Sequence, residues 1–355
     1  MTRLTGTVDG VIGVDTHRDS LAAAATDPVG GVLAQISVGA DAAGYQRLLA
    51  FARVQVPGRR CWAVEGAGSY GAGLAGFLQA QGERVVEVGR PKRPARRGGA
   101  KSDALDAVRA ARQALIEDHP LSPRRRGDRE ALRVLLATRH GACAAKVSAT
   151  NQLKALIVGA PEELRAELRG LATKQQVRRC ALLRERPARS LEHRMTVRVL
   201  RCTAQRIQRL AAEAAELGAD LERLVAAVAP WLLELPGVGP ISAAQVLVSW
   251  SHAGRLRSDA AFAALAGANP IPASSGQVIR HRLNRGGDRQ LNRALHTIVV
   301  ARLRDDPTTR TYAARRRAEG KSTRDIRRCL KRAVARQLFK LLECHDRPAV
   351  EVLRP

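Results

Sequence analysis

The stretch Val11–Ser37, VIGVDTHRDSLAAAATDPVGGVLAQIS, holds three short apolar runs separated by two turn clusters. Val11–Asp15 is apolar and closes on a carboxylate. Ser20–Thr26 is a run of small apolar residues, Asp27-Pro-Val-Gly-Gly31 is a turn, and Val32–Ser37 follows it. Runs of this length bounded by Asp, Pro and Gly read as strands, and connections this tight join antiparallel neighbours. Working outward, Asp41–Val54 has helical periodicity, an acidic start and an apolar face marked by Leu48, Leu49 and Phe51. Cys61–Val64 is a strand ending at Glu65, Ser69–Gln81 a helix, Arg84–Val88 a strand, and a further helix runs from about Ser102 to Ile116. The order β-β-β-α-β-α-β-α predicts an α/β sheet of the RNase H-like kind.

A basic loop, Gly89-Arg-Pro-Lys-Arg-Pro-Ala-Arg-Arg-Gly-Gly-Ala-Lys101, precedes that last helix. From about residue 128 to 230 the chain is almost continuously helical in composition. Leu200, Ile207, Leu210 and Leu217 recur at spacings of seven, three and seven. That pattern suits a long amphipathic helix that pairs with a second helix or a second subunit, and a helix packing only within its own chain fits equally well. Leu235-Pro-Gly-Val-Gly-Pro240 then introduces Ile241–Trp250. A Gly-x-Gly turn between helices is the helix-hairpin-helix pattern, whose backbone N–H groups suit a DNA phosphate; a plain helix–turn–helix connection looks similar. Ser258–Leu342 is helical apart from a polar loop, Ala268–Arg289, and its end is dense in arginine. Three domains are expected: 1–125 catalytic and α/β, 126–228 helical with coiled-coil character and a possible dimerisation role, and 229–355 mainly α.

Bulk composition narrows the partner. Sixty Lys and Arg stand against 33 Asp and Glu, a formal charge of +27 over 355 residues. A compact chain tolerates that self-repulsion best beside a polyanion, so nucleic acid is the expected partner. Aromatic residues are only 3%, so binding must rest on backbone electrostatics more than on base stacking. Six cysteines without a CxxC pair argue against a zinc site or a disulfide framework. No stretch approaches the roughly 18 apolar residues that span a bilayer. The first residues also lack the apolar core of about 7–15 residues that marks a signal peptide. A cytoplasmic, nucleoid-associated protein without membrane contact is expected.

Four acids carry the chemistry. Asp15 and Glu65 close neighbouring strands, and Asp103 and Asp106, three apart at a helix start, share one face. Carboxylates converging from different elements are what two-metal phosphoryl transfer requires, and oxygen ligands suit Mg²⁺, with Mn²⁺ as a substitute. His17, two residues after Asp15, is within reach of a metal or phosphate, but the turn-residue reading is preferred.

Ile12-Gly-Val-Asp15-Thr-His, Val64-Glu65 with Gly68-Ser-Tyr70, and Lys101-Ser-Asp103-Ala-Leu-Asp106-Ala resemble the DEDD motif of IS110-family transposases. Leu235–Pro240, Ala263–Pro270, Ser275-Gly276 and Asn284–Arg293 resemble that family's C-terminal transposase domain. The resemblance spans nearly the whole chain in order. It departs in a longer, Arg-rich loop at 89–100, in Asn269 before Pro270, and in Gly287–Asp288. It implies a RuvC-like N-terminal domain, a helical middle and a C-terminal domain bearing a serine. It also implies recombination guided by a structured bridge RNA that pairs with donor and target DNA.

Pro270-Ile-Pro-Ala-Ser-Ser-Gly276 is a polar loop from which a hydroxyl can attack a phosphodiester and hold the strand covalently. Ser274 and Ser275 both qualify on residues alone, and the family pattern implies Ser275. No His lies near in sequence to act as base, so a metal held by the acids is expected to assist. That suggests a composite site in a dimer or tetramer. Phosphate contacts are expected from Lys92, Arg93, Arg96, Arg97 and Lys101 in the first basic loop, from Gly237 and Gly239, and from Arg280, Arg282, Arg285 and Arg289 around the serine. The alternative function is a RuvC-like endonuclease that hydrolyses DNA with the same carboxylates and no serine. An actin-like ATPase is disfavoured by the lack of a second Asp-Gly phosphate hairpin, while a binder without catalysis would tolerate Asp103→Asn.

Overall fold

The computed structural model describes residues 4–89, 102–273 and 281–346. They fall into two compact units: Met1–Arg126 with Ser251–Arg257, and Gly127–Trp250 with Ser258–Pro355.

In the first unit the strands are β1 (Gly10–Thr16), β2 (Ser20–Thr26) and β3 (Val32–Gly39). Helix α1 (Ala42–Gln55), β4 (Arg60–Glu65), α2 (Ala72–Ala80), β5 (Val85–Val88) and α3 (Asp103–Ile116) follow. The sheet order is β3-β2-β1-β4-β5. β1 and β2 run antiparallel with Val11 opposite Thr26 and Asp15 opposite Ala22, and β3 continues the meander on β2. β4 joins the other edge of β1 in parallel, Val14 beside Val64, and β5 adds parallel to β4. Short turns can make only antiparallel neighbours, while parallel ones need a crossover, which α1 and α2 supply. This mixed sheet is consistent with the RNase H-like arrangement expected from the sequence. Helix α2 starts at Ala72 rather than at Ser69, because the chain first turns at Gly66, whose φ is +66° and whose carbonyl accepts from Ser69 N and Gly71 N.

Alternation along the strands sends side chains to opposite faces. Ile12, Val14, Leu21, Trp62 and Val64 meet Leu48, Leu49, Leu74 and Leu78 of α1 and α2. Val11, Cys61, Ala63 and Val86 meet Ala110, Ala111, Ala114 and Leu115 of α3 on the other face. The second packing is unusually close. A Cβ at Gly13 would fall 2.0 Å from Ala107 O and 2.5 Å from Ala111 N, so α3 lies against β1 at backbone distance.

Ser251–Arg257 belongs to this unit through polar contacts. The Arg255 side chain, 4% exposed, reaches Glu87 of β5 at 3.0 Å and donates from Nε to Ser122 O at 3.2 Å. Ser251 Oγ accepts from Arg125 N. Nothing local in the sequence marks this excursion, since an arginine buried against a distant glutamate is a tertiary fact.

The second unit begins with α4 (Asp128–Val158), α5 (Glu162–Leu168), α6 (Thr173–Ala181) and α7 (Leu191–Val228). Ala149, Leu153 and Ile157 of α4 pack on Leu200, Ala204 and Ile207 of α7, with Leu168 and Cys180 closing the cluster. Gly218 lies opposite Arg139, so the two long helices run antiparallel. Part of the apolar stripe expected for a coiled coil is therefore covered within the chain: Leu200 and Ile207 are buried there, while Leu210 and Leu217 are half-buried.

Helices α8 (Pro230–Leu233), α9 (Pro240–Trp250) and α10 (Asp259–Leu265) lead to a hairpin of β6 (Pro270–Pro272) and β7 (His281–Leu283), then α11 (Arg289–Asp305), α12 (Pro307–Ala318) and α13 (Thr323–His345). The hairpin pairs Pro270 with Leu283, Ile271 with Arg282 and Pro272 with His281, where the sequence predicts only a polar loop. Two prolines argue against a strand, but a two-stranded ribbon has free edges on which a residue without N–H is tolerated. Among the described residues no helix is long and apolar enough to cross a membrane.

The close packing at residue 13 yields a first expectation. Gly13→Ala forces α3 off β1 and should cost about 1–3 kcal/mol or more, as overpacked sites do. Chemical denaturation of both proteins measures it, and an unchanged midpoint would show that α3 moves freely.

Candidate functional site

Asp15 occupies the C-terminal end of β1, one residue past Val14, whose parallel neighbour is Val64. Register alone thus sets Glu65, the last residue of β4, beside it at the same edge of the sheet. Thr16 Oγ1 donates to Glu65 O at 2.9 Å and ties the two strand ends together. Asp103 and Asp106 lie in the first turn of α3, the helix that Gly13 admits to the face of β1.

Asp15, His17 and Asp103 each present a ligand atom within 4.8 Å of the others. His17 Nε2 is 3.3 Å from Asp15 Oδ2 and 3.3 Å from Asp103 Oδ1. That nitrogen thus lies between two carboxylate oxygens and shares their ligand space. Asp106 is held by Arg109 one turn on, Nη1 to Oδ1 2.5 Å. Asp15 is 7% exposed. Burial pushes its carboxyl above the ordinary value; the His17 ring opposes that, and the charges of Asp106 and Asp103 add to it. Crowding and partial desolvation of this kind are relieved by binding a proton or a cation.

The structure therefore brings Asp15 and Asp103 into one ligand cluster, with Asp106 close enough to raise Asp15, and sets Glu65 on the adjoining strand end. His17, expected as a turn residue, stands between two of the acids. The signal was present in the sequence: residues two apart along a strand direction face the same side. Arg109 carried a signal too, three residues from Asp106 on one helical face.

The other expected residues are dispersed. Gly237 has φ +74°, and a Cβ there would fall 2.8 Å from Ile298 O, while Arg302 Nε donates to Pro236 O at 2.7 Å. That glycine is required by packing on α11. Gly239 meets open space. Arg282, Arg285 and Arg289 are exposed at β7 and at the start of α11. Asp288 is the N-cap of α11, accepting from Gln290 N and Leu291 N, and receives Ser249 Oγ at 2.6 Å. Ser274, Ser275, Arg280, Lys92, Arg93, Arg96, Arg97 and Lys101 lie outside the described residues.

The raised Asp15 carboxyl fixes the sign of a pH effect. A carboxyl that binds its proton more tightly when folded contributes stability below the ordinary range, about pH 4, and that contribution is lost as pH rises through the raised value. Asp15→Asn should therefore melt higher than the metal-free parent at neutral pH, by a margin that shrinks toward pH 4. Mg²⁺ should raise the melting temperature of the parent and leave that of the variant unchanged. Thermal melts across pH, with chelator and with Mg²⁺, read both effects; a variant that melts lower at neutral pH would show that Asp15 stabilises the fold.

Comparison with known proteins bears on this geometry. A family model described as a transposase, of the DEDD type found in IS110, matches residues 12–160. A second, described as the transposase IS116/IS110/IS902 family, matches residues 229–314. The 42 kDa protein of insertion element IS900 from Mycobacterium paratuberculosis is 28% identical over 381 aligned positions, covering 94% of this chain and 95% of that protein. The 43.6 kDa protein of insertion element IS110 from Streptomyces coelicolor is 40% identical over 121 residues, covering 34% of this chain and 29% of that protein. The first model spans the strands and helix that carry all four acids, and the second runs from just before α8 through the hairpin and α11 into α12. The chain belongs to the IS110 family of transposases.

Proposed function

We propose that this transposase cuts and rejoins DNA through a divalent-metal site held by Asp15, Glu65, Asp103 and Asp106, with Ser275 as the nucleophile. The observation that carries the reading is the convergence of Asp15 and Asp103, from a strand end and a helix start, within 4.8 Å of each other and of His17. The donor set fits the ion: hard carboxylate oxygens suit Mg²⁺, and the neighbouring imidazole leaves room for Mn²⁺. Bound there, a divalent cation would neutralise phosphate charge and lower the barrier to ionising a hydroxyl.

The chain's own groups divide the remaining work. Arg109 holds Asp106, and Gly13 lets α3 deliver Asp103 to the end of β1. The serine supplies Oγ. Its bond to phosphorus forms as one bridging P–O bond of the DNA breaks, the proton the serine loses is balanced by one that ends on the released deoxyribose oxygen, and the ester keeps the energy needed for rejoining. The exposure of Arg282, Arg285 and Arg289 supports phosphate contact, and Lys92, Arg93, Arg96, Arg97, Lys101, Gly237, Gly239 and Arg280 are assigned the same role from sequence. The excess of Lys and Arg over acids, with few aromatics, supports a partner gripped by its backbone. We assign sequence choice to a structured guide RNA, where base pairing rather than protein side chains selects donor and target. Two duplexes must be cut and exchanged, so carboxylates and serine are supplied by different copies in a dimer or tetramer.

Labelled DNA carrying the element's ends, incubated with the protein, its co-purifying RNA and Mg²⁺, tests the chemistry on a denaturing gel. DNA should run covalently attached to protein for the parent and for Ser274→Ala, and not for Ser275→Ala. Asp15→Asn should lower adduct formation about a hundredfold or more, since even residues behind a metal ligand contribute about 10–100-fold. Cut DNA without an adduct would replace this mechanism with hydrolysis. Mixing Ser275→Ala with Asp15→Ala should restore adduct if the site is shared between copies, and restore none if each copy acts alone. Sequencing the co-purifying RNA should return one structured species; a random population would remove the guide.

A further inference from the structure

The second unit concentrates positive charge beside the hairpin that leads to the serine. A cavity of about 440 Å³ opens between β6, β7 and the N-terminal half of α13. Gly267, Ala268, Pro270 and Cys329 give it an apolar floor. Arg282, Lys321, Arg328, Lys331 and Arg332 line its walls against one acid, Asp325.

These cations are unequally neutralised. Arg332 is paired with Asp259 at 2.9 Å, and Arg328 with Asp325. Among the described residues, Arg282, Lys321 and Lys331 have no carboxylate within ion-pair distance. Lys331 is instead aimed by a neutral group: its Nζ donates to Asn292 Oδ1 at 3.0 Å, and Asn292 Nδ2 donates to Ala266 O at 2.6 Å. Burial, and then the charge of Arg328, hold the Lys331 ammonium below its ordinary value. A partly buried ammonium kept among like charges stores an electrostatic cost that an anion would remove.

Covalent connectivity says which anion. Pro272 and His281 are paired. Ser275 is three residues beyond Pro272, and three extended residues span at most about 11 Å. Chain connectivity alone limits how far residue 275 can lie from the strand whose Pro270 lines the cavity; Ser275 itself lies outside the described residues. The volume exceeds what a free phosphate needs, and the apolar floor suits a sugar.

We propose that this cavity receives a DNA backbone phosphate next to the one that Ser275 attacks, with Lys321, Lys331 and Arg282 around the phosphate and its deoxyribose on Pro270 and Ala268. The assignment rests on the serine reading above and adds the group that registers the strand on the nucleophile.

Binding of a short labelled single-stranded DNA, followed by fluorescence anisotropy over a range of salt, tests it without cleavage. Lys331→Gln should weaken binding about tenfold, the scale of one charged hydrogen bond. It should also flatten the slope of log affinity against log salt by roughly 0.7, the value for one phosphate of a single strand. Lys340→Gln removes an equal charge from the exposed face of the same helix and should leave the slope unchanged. Equal effects of the two variants, no effect of either, or an effect confined to RNA of the same sequence would overturn the assignment. A second measurement uses the parent protein, so folding of a variant is not at issue. Amine-reactive labelling read by mass spectrometry should find Lys321 and Lys331 shielded by the DNA and Lys340 still reactive; unshielded lysines with bound DNA overturn the pocket. An intact covalent adduct with unshielded lysines removes the pocket alone, and shielded lysines without any adduct remove the serine reading alone.

Discussion

The helix that carries Asp103 and Asp106 can lie where it does because residue 13 has no side chain. Ala107 O and Ala111 N occupy the space that a Cβ on β1 would need, and the α3 face packed on the sheet is mostly alanine, with Leu115 at its far end. Two backbones in contact leave little freedom to slide, so the first turn of α3 is held against the end of β1. The ligand cluster follows from that approach. Asp15 is delivered by the last residues of a central strand, Asp103 by a helix start, and His17 by the first residue after the strand. A bulkier seam would widen the gap and leave the same acids on a sheet edge without a common focus.

Holding these carboxylates together is costly in the absence of a cation. Asp15 is buried beside Asp103 and Asp106, and its carboxyl is raised as a result. His17 and Arg109 offset part of the repulsion from within the chain. The chain is otherwise strongly basic, so an acidic focus sits within a molecule that attracts phosphates. That combination, general attraction of a polyanion and a local centre of opposite sign, is what metal-assisted phosphoryl transfer calls for.

The second unit treats its serine loop in a related way, by fixing the chain on both sides. β6 and β7 pair directly, and Asn284 Nδ2 donates to Asn269 Oδ1 at 2.7 Å just outside the paired residues. Gly287, with φ +91°, turns the chain so that Asp288 N reaches Leu265 O and the Asp288 carboxylate caps α11. The Gly287–Asp288 pair therefore has a structural role in this chain. Asn292, on the next turn of α11, carries the constraint on to Lys331 of α13.

Much of this was legible in the residues themselves. The three strands of the meander, the parallel pair after them, the long helices and the four acids at element ends follow from apolar periodicity, turn residues and caps, which neighbours along the chain encode. Asp41 caps α1, and turn clusters end β1 and β2, because those interactions span a few residues. Other features depend on partners far away in sequence. The hairpin around the serine was hidden by two prolines that only its free edges tolerate. His17 became a member of the acid cluster only when α3 brought Asp103 to it. Ser251–Arg257 joined the first unit because Arg255 found Glu87, and Lys331 gained its environment from Asn292 and β7. The sequence by itself determined which elements form and which acids stand at their ends, since period and turn chemistry are local. Tertiary structure alone decided which of those groups share a site, because that depends on how closely two backbones approach and on where a buried charge finds its counter-charge.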